Sequence, residues 1–388
     1  HKLFSLTKSE WAAAAEKAAV PIYERALRAA VIEKKPATAG QLGAVRASLG
    51  IGDGCAEGMH AEIFAQAAAA ALKDNSLSAA EKEQLESIER LLGMQPDSAR
   101  STIAALTSPL YVKTFEAVLG EAEAAGEGAA ADSRLVASVQ GRLALSAQEL
   151  LLDEATTLPL QRGVLRGRAA ALLAEASAAL QPEEKLAKAR KLVQSCDATA
   201  AFMAAIGHVE ADGAGGGALF AGLGETIKNS EAVSLYRALL LDALKDLKLD
   251  TEEKLELARL ASILGLSSET TTSVFTAAAG PLYQNVAKAA ADSGEGGAEL
   301  RSALDNLGLP RDIATSIAVD LYTDKLLEFT GGSRDAFDGG ESGKILREEQ
   351  SDKLTALRDL LDLEMAQVYE VHERYCSAAY ADSIREVI

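Results

Sequence analysis

The chain has 388 residues, and 48% of them are hydrophobic, which is enough to form packed cores and excludes a wholly disordered protein. It carries 57 Asp and Glu against 39 Lys and Arg, a formal net charge of −18, and such a surface repels the phosphates of nucleic acids. We therefore expect no nucleic-acid partner. Alanine-rich runs such as WAAAAEKAA and AQAAAAALK favour helices whose axes approach closely. The composition predicts an all-α protein.

No secretory or transit segment is recognisable in the first residues, HKLFS. The longest uncharged apolar stretch lies near DATAAFMAAIG and is far shorter than the roughly 20 residues that span a bilayer. We therefore expect a soluble chain that is a fragment of a longer protein.

A short leucine pattern recurs along the chain: Leu, six residues, Leu, then usually Gly and another apolar residue. The repeated step of 43 residues, from 42 to 85 and from 257 to 300, is typical of two-helix solenoid units. The glycine after each unit's last leucine is expected to end a helix in the left-handed conformation. The full copies begin at Leu42, Leu85, Leu257 and Leu300, and weaker copies begin at Val136 and Leu354.

One long segment occurs twice, at an offset of 172 residues. When 71–111 is aligned with 243–283, 15 of the 41 positions are identical, which indicates a duplication. Ser78 and Glu81 are spaced as a capping box at the start of a helix. Pro109 and Pro281 occupy the same place in the two copies and are expected to interrupt or kink the second helix of the unit.

Together these patterns predict an elongated, right-handed, HEAT-like α-solenoid built of two-helix units. The expected divisions are an N-terminal helical-repeat half at 1–208, a Gly-rich loop at 209–229 and a second helical-repeat half at 230–330. A flexible linker at 331–343 and one or two long C-terminal helices at 344–388 follow.

Motifs for ligand chemistry fail on inspection. DGGESGKIL has Asp338 and Ile345 where a phosphate loop needs Gly and Ser or Thr. DGAGGGALFAGLG follows no strand pattern, so it does not predict dinucleotide binding, and DLKLDTEEK lacks the central glycine of a calcium loop. We predict no catalytic residue, no cofactor and no metal ligand, and we expect that the protein is not an enzyme.

The cysteines are few and far apart, so neither a disulfide framework nor a zinc site is predicted. Cys55 and Cys196 lie near sequences that could start helices, where the helix dipole favours a thiolate, and both are candidate redox thiols. The alternative is that each is a small buried hydrophobic residue. His60 and His372 lie near Cys55 and Cys376 in the sequence, but no third orienting group for a nucleophile is apparent.

Residues 55–119 and 235–329 resemble the large Tic subunit of the chloroplast inner-envelope import machinery. The shared features are the helix ending ALKD, a helix start of the form E-K/E-E-x-L, and the LGL-type stop. The resemblance implies a helical repeat exposed to the stroma and anchored by a membrane segment absent from this chain. It also implies binding of precursor proteins with transit peptides, recruitment of stromal chaperones and contact with other translocon subunits.

The charge is consistent with that interpretation, because transit peptides are rich in Arg and Ser and poor in acidic residues. A strongly acidic solenoid offers such peptides a long surface of opposite charge. Two alternatives remain open: a general protein-interaction α-solenoid not involved in import, and an enzyme whose pocket the sequence does not reveal.

Overall fold

The computed structural model describes residues 8–207, 217–330 and 346–375, and these residues form helices and turns without any strand. The prediction of an all-α protein is confirmed. The helices before the first gap are α1 (Lys8–Val31), α2 (Ala39–Leu49), α3 (Asp53–Ala71), α4 (Ala79–Leu92), α5 (Pro96–Ala125), α6 (Ser133–Glu149), α7 (Glu154–Ser177) and α8 (Pro182–Ala205). Those after it are α9 (Gly217–Phe220), α10 (Asn229–Ala243), α11 (Thr251–Leu264), α12 (Ser268–Ser293), α13 (Gly297–Leu307), α14 (Arg311–Thr330), α15 (Glu348–Leu360) and a helical stretch at 365–375.

The chain divides into two compact units. Unit 1 comprises His1–Arg168 and Ala198–Gly215, and unit 2 comprises Ala169–Asp197 and Gly216–Ile388. Each unit thus draws on two separate stretches of sequence, because α7 and α8 contribute residues to both. The divisions expected from the sequence stay predictions, and the expected linker at 331–343 lies outside the described residues.

The duplicated segment has the same helical order in both units: it starts at the last residue of α3 or α10, includes all of α4 or α11, and ends inside α5 or α12. The predicted capping box at Ser78 is confirmed: the Glu81 amide donates to Ser78 Oγ at 3.3 Å, and the Ser78 amide donates to Glu81 Oε2 at 2.9 Å. Asp250 and Glu253 form the equivalent box at the start of α11, at 2.8 and 3.0 Å. Each box satisfies backbone donors that a helix start leaves unpaired, an effect worth about 1 kcal/mol.

The predicted glycine stops are also confirmed. Gly93 and Gly265 follow α4 and α11 with φ of 61° and 66°, and Gly308 follows α13 with φ of 65°. This left-handed conformation costs glycine little, and it lets the cap amides bond to the last carbonyls of the helix. The stops therefore set where each helix of the unit ends.

The two weaker copies of the leucine pattern have different outcomes. The copy from Leu354 ends as predicted, with Asp362 in the left-handed conformation (φ 55°) directly after α15 and its cap. The copy from Val136 does not: α6 continues past the predicted stop to Glu149, and Leu151 takes the positive φ instead. The Val136 copy lacks the glycine, so nothing in its local sequence ends the helix earlier.

Both prolines lie within uninterrupted helices. Pro109 is inside the 30-residue α5, and Pro281 is inside the 26-residue α12, so neither helix is broken there, and the expected kink stays a prediction. Both prolines are exposed, which leaves the backbone carbonyl that loses its donor on the solvent side of the helix.

A backbone contact in unit 2 fixes the segment before α10. The Gly222 amide donates to the Ser262 carbonyl at 3.1 Å, at the end of α11. A Cβ placed on Gly224 would lie 1.9 Å from the Leu264 carbonyl oxygen, so only glycine fits. Within the expected Gly-rich loop at 209–229, which stays a prediction, residues 217–226 contain α9 and a short 3-10 turn, and Phe220 and Leu223 are buried. Residues 209–216 lie outside the described part.

This contact predicts that Gly224→Ala destabilises unit 2. Because the added methyl group would meet backbone rather than a movable side chain, we expect a loss of about 3 kcal/mol, at the upper end of overpacking costs. Thermal or urea unfolding followed by circular dichroism measures the loss.

The matched control is Gly52→Ala, at the equivalent position of the first copy. A Cβ on Gly52 would meet only Glu16 Oε1, at 3.4 Å, and the residue has ordinary extended geometry. We expect this variant to lose less than ~1 kcal/mol. Equal losses for the two variants would contradict the proposed backbone clash.

Candidate functional site

Unit 1 contains a cleft of about 390 Å³ between α5, α6 and the turn that follows α3. Its volume lies in the range of small-ligand sites, and its walls combine leucine side chains with charged and polar groups. The lining residues are Asn75, Leu110, Lys113, Thr114, Arg142, Leu145, Ser146, Glu149 and Leu150.

The two basic side chains of the cleft differ in their bonding. Arg142 Nη1 donates to Glu121 Oε2 at 2.5 Å, which leaves other N–H groups of its guanidinium available. Lys113 is exposed, and within the described part of the chain its ammonium group has no ion pair. The Lys82 ammonium donates to the Gln148 carbonyl at 2.8 Å and ties α4 to the end of α6. Among the described residues the cleft thus has one cation without an ion pair, Lys113, and a wall at the end of α6 that is tied to α4.

The duplication shows which cleft residues the fold requires. At the offset of 172, Asn75 corresponds to Leu247, and Lys113 corresponds to Asn285. Both Asn75 and Leu247 have positive φ, 64° and 59°, so the backbone is the same while the side chain differs. Asn75 and Lys113 are therefore not needed to build these helices.

Unit 2 contains an ion-pair network that connects α8 with α10 and α11. Arg190 pairs with Asp242 at 2.7 Å and lies 3.9 Å from Glu256. Arg259 pairs with Asp197 at 2.5 Å. Burial raises the pKa of Asp197, and the Arg259 guanidinium opposes that rise. The network joins the three helices through exposed and half-buried ion pairs, and the buried Nε of Arg259 has no hydrogen-bond partner among the described residues.

The two candidate thiols lie in different settings. Cys55 is in the first turn of α3, as expected, and is half-buried. Cys196 lies inside α8 rather than near a helix start, and it is 3% exposed. Burial raises the pKa of the Cys196 thiol to about 12, which disfavours the thiolate. A redox role stays a prediction for both, with structural support from helix position at Cys55 and none at Cys196.

A buried polar group in unit 1 was not predicted. In α5, Leu106 and Leu110 are half-buried, whereas Tyr111 is buried. Gln161 Nε2 donates to the Tyr111 hydroxyl at 2.6 Å, and Thr157 also bonds to this hydroxyl. The Gln161 Oε1 atom is buried and has no partner within the described residues.

The corresponding helix of unit 2 has no such group. Buried residues occur at 157, 161 and 165 in α7 and with the same spacing at 314, 318 and 322 in α14. Ala314 and Ala318 stand where α7 has Thr157 and Gln161. The pairing of Tyr111 joins residues about 50 positions apart, so no local sequence signal could have revealed it.

Two tyrosine–histidine pairs join helices that are distant in sequence. The Tyr23 hydroxyl and His60 Nε2 are 2.8 Å apart in unit 1, and the Tyr322 hydroxyl and His372 Nε2 are 3.0 Å apart in unit 2. Burial lowers the pKa of both histidines, and Arg46 lowers that of His60 further. For Cys55 and His60, which lie near each other in the sequence, no third group that would orient a nucleophile is apparent among the described residues, and Cys376 lies outside those residues.

Neither a metal site nor a membrane span is found in the described ranges. No cluster of three or more His, Cys, Asp or Glu side chains is arranged to hold a metal ion in 8–207, 217–330 or 346–375. Within the same ranges no helix has both the length and the apolar character that crossing a bilayer requires.

The bonding of Tyr111 predicts a specific double-mutant result. Tyr111→Phe should destabilise unit 1 by about 1–3 kcal/mol, because it leaves the buried Gln161 amide group without its partner. Gln161→Leu removes the unpaired Oε1 atom and should be neutral or stabilising. The double variant should recover most of the loss in urea unfolding, and purely additive losses would show that the two side chains are not coupled.

The tyrosine–histidine pairs predict a loss of stability in acid. A histidine whose folded pKa is lowered takes up a proton less readily when folded than when unfolded, so the free energy of unfolding should fall as the pH drops below about 6.5. Replacing His60 and His372 with Gln keeps an acceptor for each tyrosine but removes the titration. Unfolding midpoints between pH 7.5 and 5.5 should then depend less on pH, and an unchanged slope would contradict the assignment.

No protein-family model, curated protein or solved structure matches this chain. Functional inference therefore depends on the charges, the cleft and the duplicated helices described above.

Proposed function

We propose that the chain is a non-enzymatic scaffold of chloroplast protein import on the stromal side of the inner envelope. In this role it binds precursor proteins through their transit peptides, recruits stromal chaperones and contacts other translocon subunits. The proposal is supported by the resemblance of 55–119 and 235–329 to the large Tic subunit. It includes the stacking of the two-helix units into a HEAT-like α-solenoid.

The observation that carries the proposal is the uneven distribution of acidic residues. Unit 2 has 34 Asp and Glu against 21 Lys and Arg, whereas unit 1 has 23 against 18, which together account for the 57 and 39 of the chain. Most of the net charge of −18 therefore belongs to unit 2. Along α14, Asp312, Asp320 and Asp324 are exposed at spacings that are multiples of four residues, and so they follow one face of the helix.

An acidic face of this kind suits transient capture. Exposed opposite charges accelerate encounter and contribute little to final affinity, and salt screens them over about 10 Å at 0.1 M ionic strength. A precursor held in this way can dissociate quickly and pass to a chaperone. Two further features fit a scaffold: the duplicated helices lengthen the available surface, and the ion-pair network of unit 2 engages its members with each other.

The proposal predicts salt-sensitive binding of transit peptides. A fluorescently labelled transit peptide should bind the full chain better than its scrambled version, and its affinity should fall several-fold between 50 and 200 mM salt. Fluorescence anisotropy measures both. Equal binding of the two peptides would favour a general protein-interaction α-solenoid, and binding insensitive to salt would contradict the electrostatic mechanism.

Charge variants locate the binding face. Neutralising Asp312, Asp320 and Asp324 together as Asn should weaken transit-peptide binding about fivefold, which corresponds to the sum of a few exposed charge interactions.

The matched control removes three exposed acidic charges from unit 1, with Glu83, Glu86 and Glu116 changed to Gln. It removes the same number of negative charges as the α14 variant, and we expect the affinity for the transit peptide to change less than twofold. The same loss in both variants would show that total charge, rather than the face of α14, determines binding.

A further inference from the structure

We propose that the cleft of unit 1 binds the C-terminal residue of a peptide that ends in an aliphatic side chain. The peptide's α-carboxylate would pair with the cations of the cleft, and its side chain would contact the leucines. This inference does not rest on the proposed role in import, because transit-peptide capture is assigned to acidic residues of unit 2.

The cleft offers positive charge to a ligand. Among the described residues Lys113 has no ion pair, and Arg142 donates one N–H group, to Glu121, which leaves its other N–H groups for a ligand. An ammonium and a guanidinium in the same cleft can both donate to one carboxylate, since each group has several N–H donors. In a chain with a net charge of −18, cations that are not fully engaged by carboxylates of the chain itself are available to an external one.

The cleft also has an apolar part. Leu145 on α6 is 55% exposed. Burying aliphatic surface is favourable by about 25 cal/mol per Å², so this exposure leaves free energy that a ligand covering Leu145 can gain. Leu110, half-buried, and Leu150, buried, also contribute to the lining. A ligand that covers Leu145 must therefore present an aliphatic group beside its carboxylate.

Acceptor groups in the cleft favour a peptide over a simple fatty carboxylate. Glu149 and Ser146 also line the cleft, and both provide acceptor oxygens. A peptide has an N–H group one residue from its carboxylate that can donate to such an oxygen, whereas a fatty acid has no donor. A cleft of about 390 Å³ is at the small end for ligand sites and suits the last residue or two of a chain.

The second copy shows that the fold does not require two of the cleft residues. In the second copy the fold is built with Leu247 and Asn285 at the positions of Asn75 and Lys113. The helices that these positions join are present in both units, so Asn75 and Lys113 are not required by the fold and can serve binding.

The experiment titrates the full chain with three labelled peptides and one amino acid. A six-residue Gly/Ser peptide ending in leucine with a free carboxylate should bind, and its C-terminally amidated form should bind at least tenfold more weakly. A peptide ending in aspartate instead of leucine should also bind more weakly. Free leucine that binds as tightly as the peptide would overturn the peptide assignment, as would equal binding of the acid and amide or no binding at millimolar peptide.

Substitutions taken from the second copy locate the site without a risk of misfolding. Lys113→Asn should weaken binding of the carboxylate peptide about fivefold, and Asn75→Leu should weaken it further by occupying the cleft. Lys17→Asn removes an exposed lysine of α1 that does not line the cleft and is the matched control. Unfolding midpoints verify that each variant is folded, and equal affinities for Lys113→Asn and Lys17→Asn would overturn the proposal.

Discussion

The repeat depends on how its helices end. A helix leaves about four carbonyl groups unpaired at its C-terminus, and a buried turn cannot leave them so. Glycine at 93, 265 and 308 adopts the left-handed conformation at little cost. The backbone amides at the end of the helix can then donate hydrogen bonds to those carbonyls. The apolar residue that follows then packs back on the helix, as the buried Leu309 does. Helix length, and with it the burial of the leucines, follows from these stops.

Local features of the fold could be predicted from the sequence, and long-range features could not. The capping box at Ser78 and the stops at Gly93 and Gly265 depend on residues within four positions, so their sequence signal is complete. The buried Tyr111 bonds to Gln161, which lies 50 residues away, so no local pattern signals this pair. Cys196 was placed near a helix start because Asp197 follows it, yet Asp197 pairs with Arg259 from the interior of α8.

The candidate site was beyond sequence analysis for a related reason. Its lining comes from α5, α6 and the turn after α3, and none of these residues forms a motif on its own. The duplication supplied the missing comparison once the structure was known. The two copies share backbone geometry but have different residues at positions 75 and 113 and their equivalents. The comparison therefore shows that the fold does not require the residues that unit 1 has there. Such an internal reference takes the place of relatives when none matches.

The interleaved composition of the two units has a consequence for synthesis on the ribosome. The chain passes from unit 1 to unit 2 at Ala169, returns at Ala198, and leaves again at Gly216. Unit 1 therefore cannot be completed before residue 215 has emerged, and by then the first stretch of unit 2 is already outside the exit tunnel without most of its partners. Domains usually fold one after another from the N-terminus. Here the nascent residues 169–197, with the charged side chains of Arg190 and Asp197, must wait through the translation of α10 and α11 before they can pair.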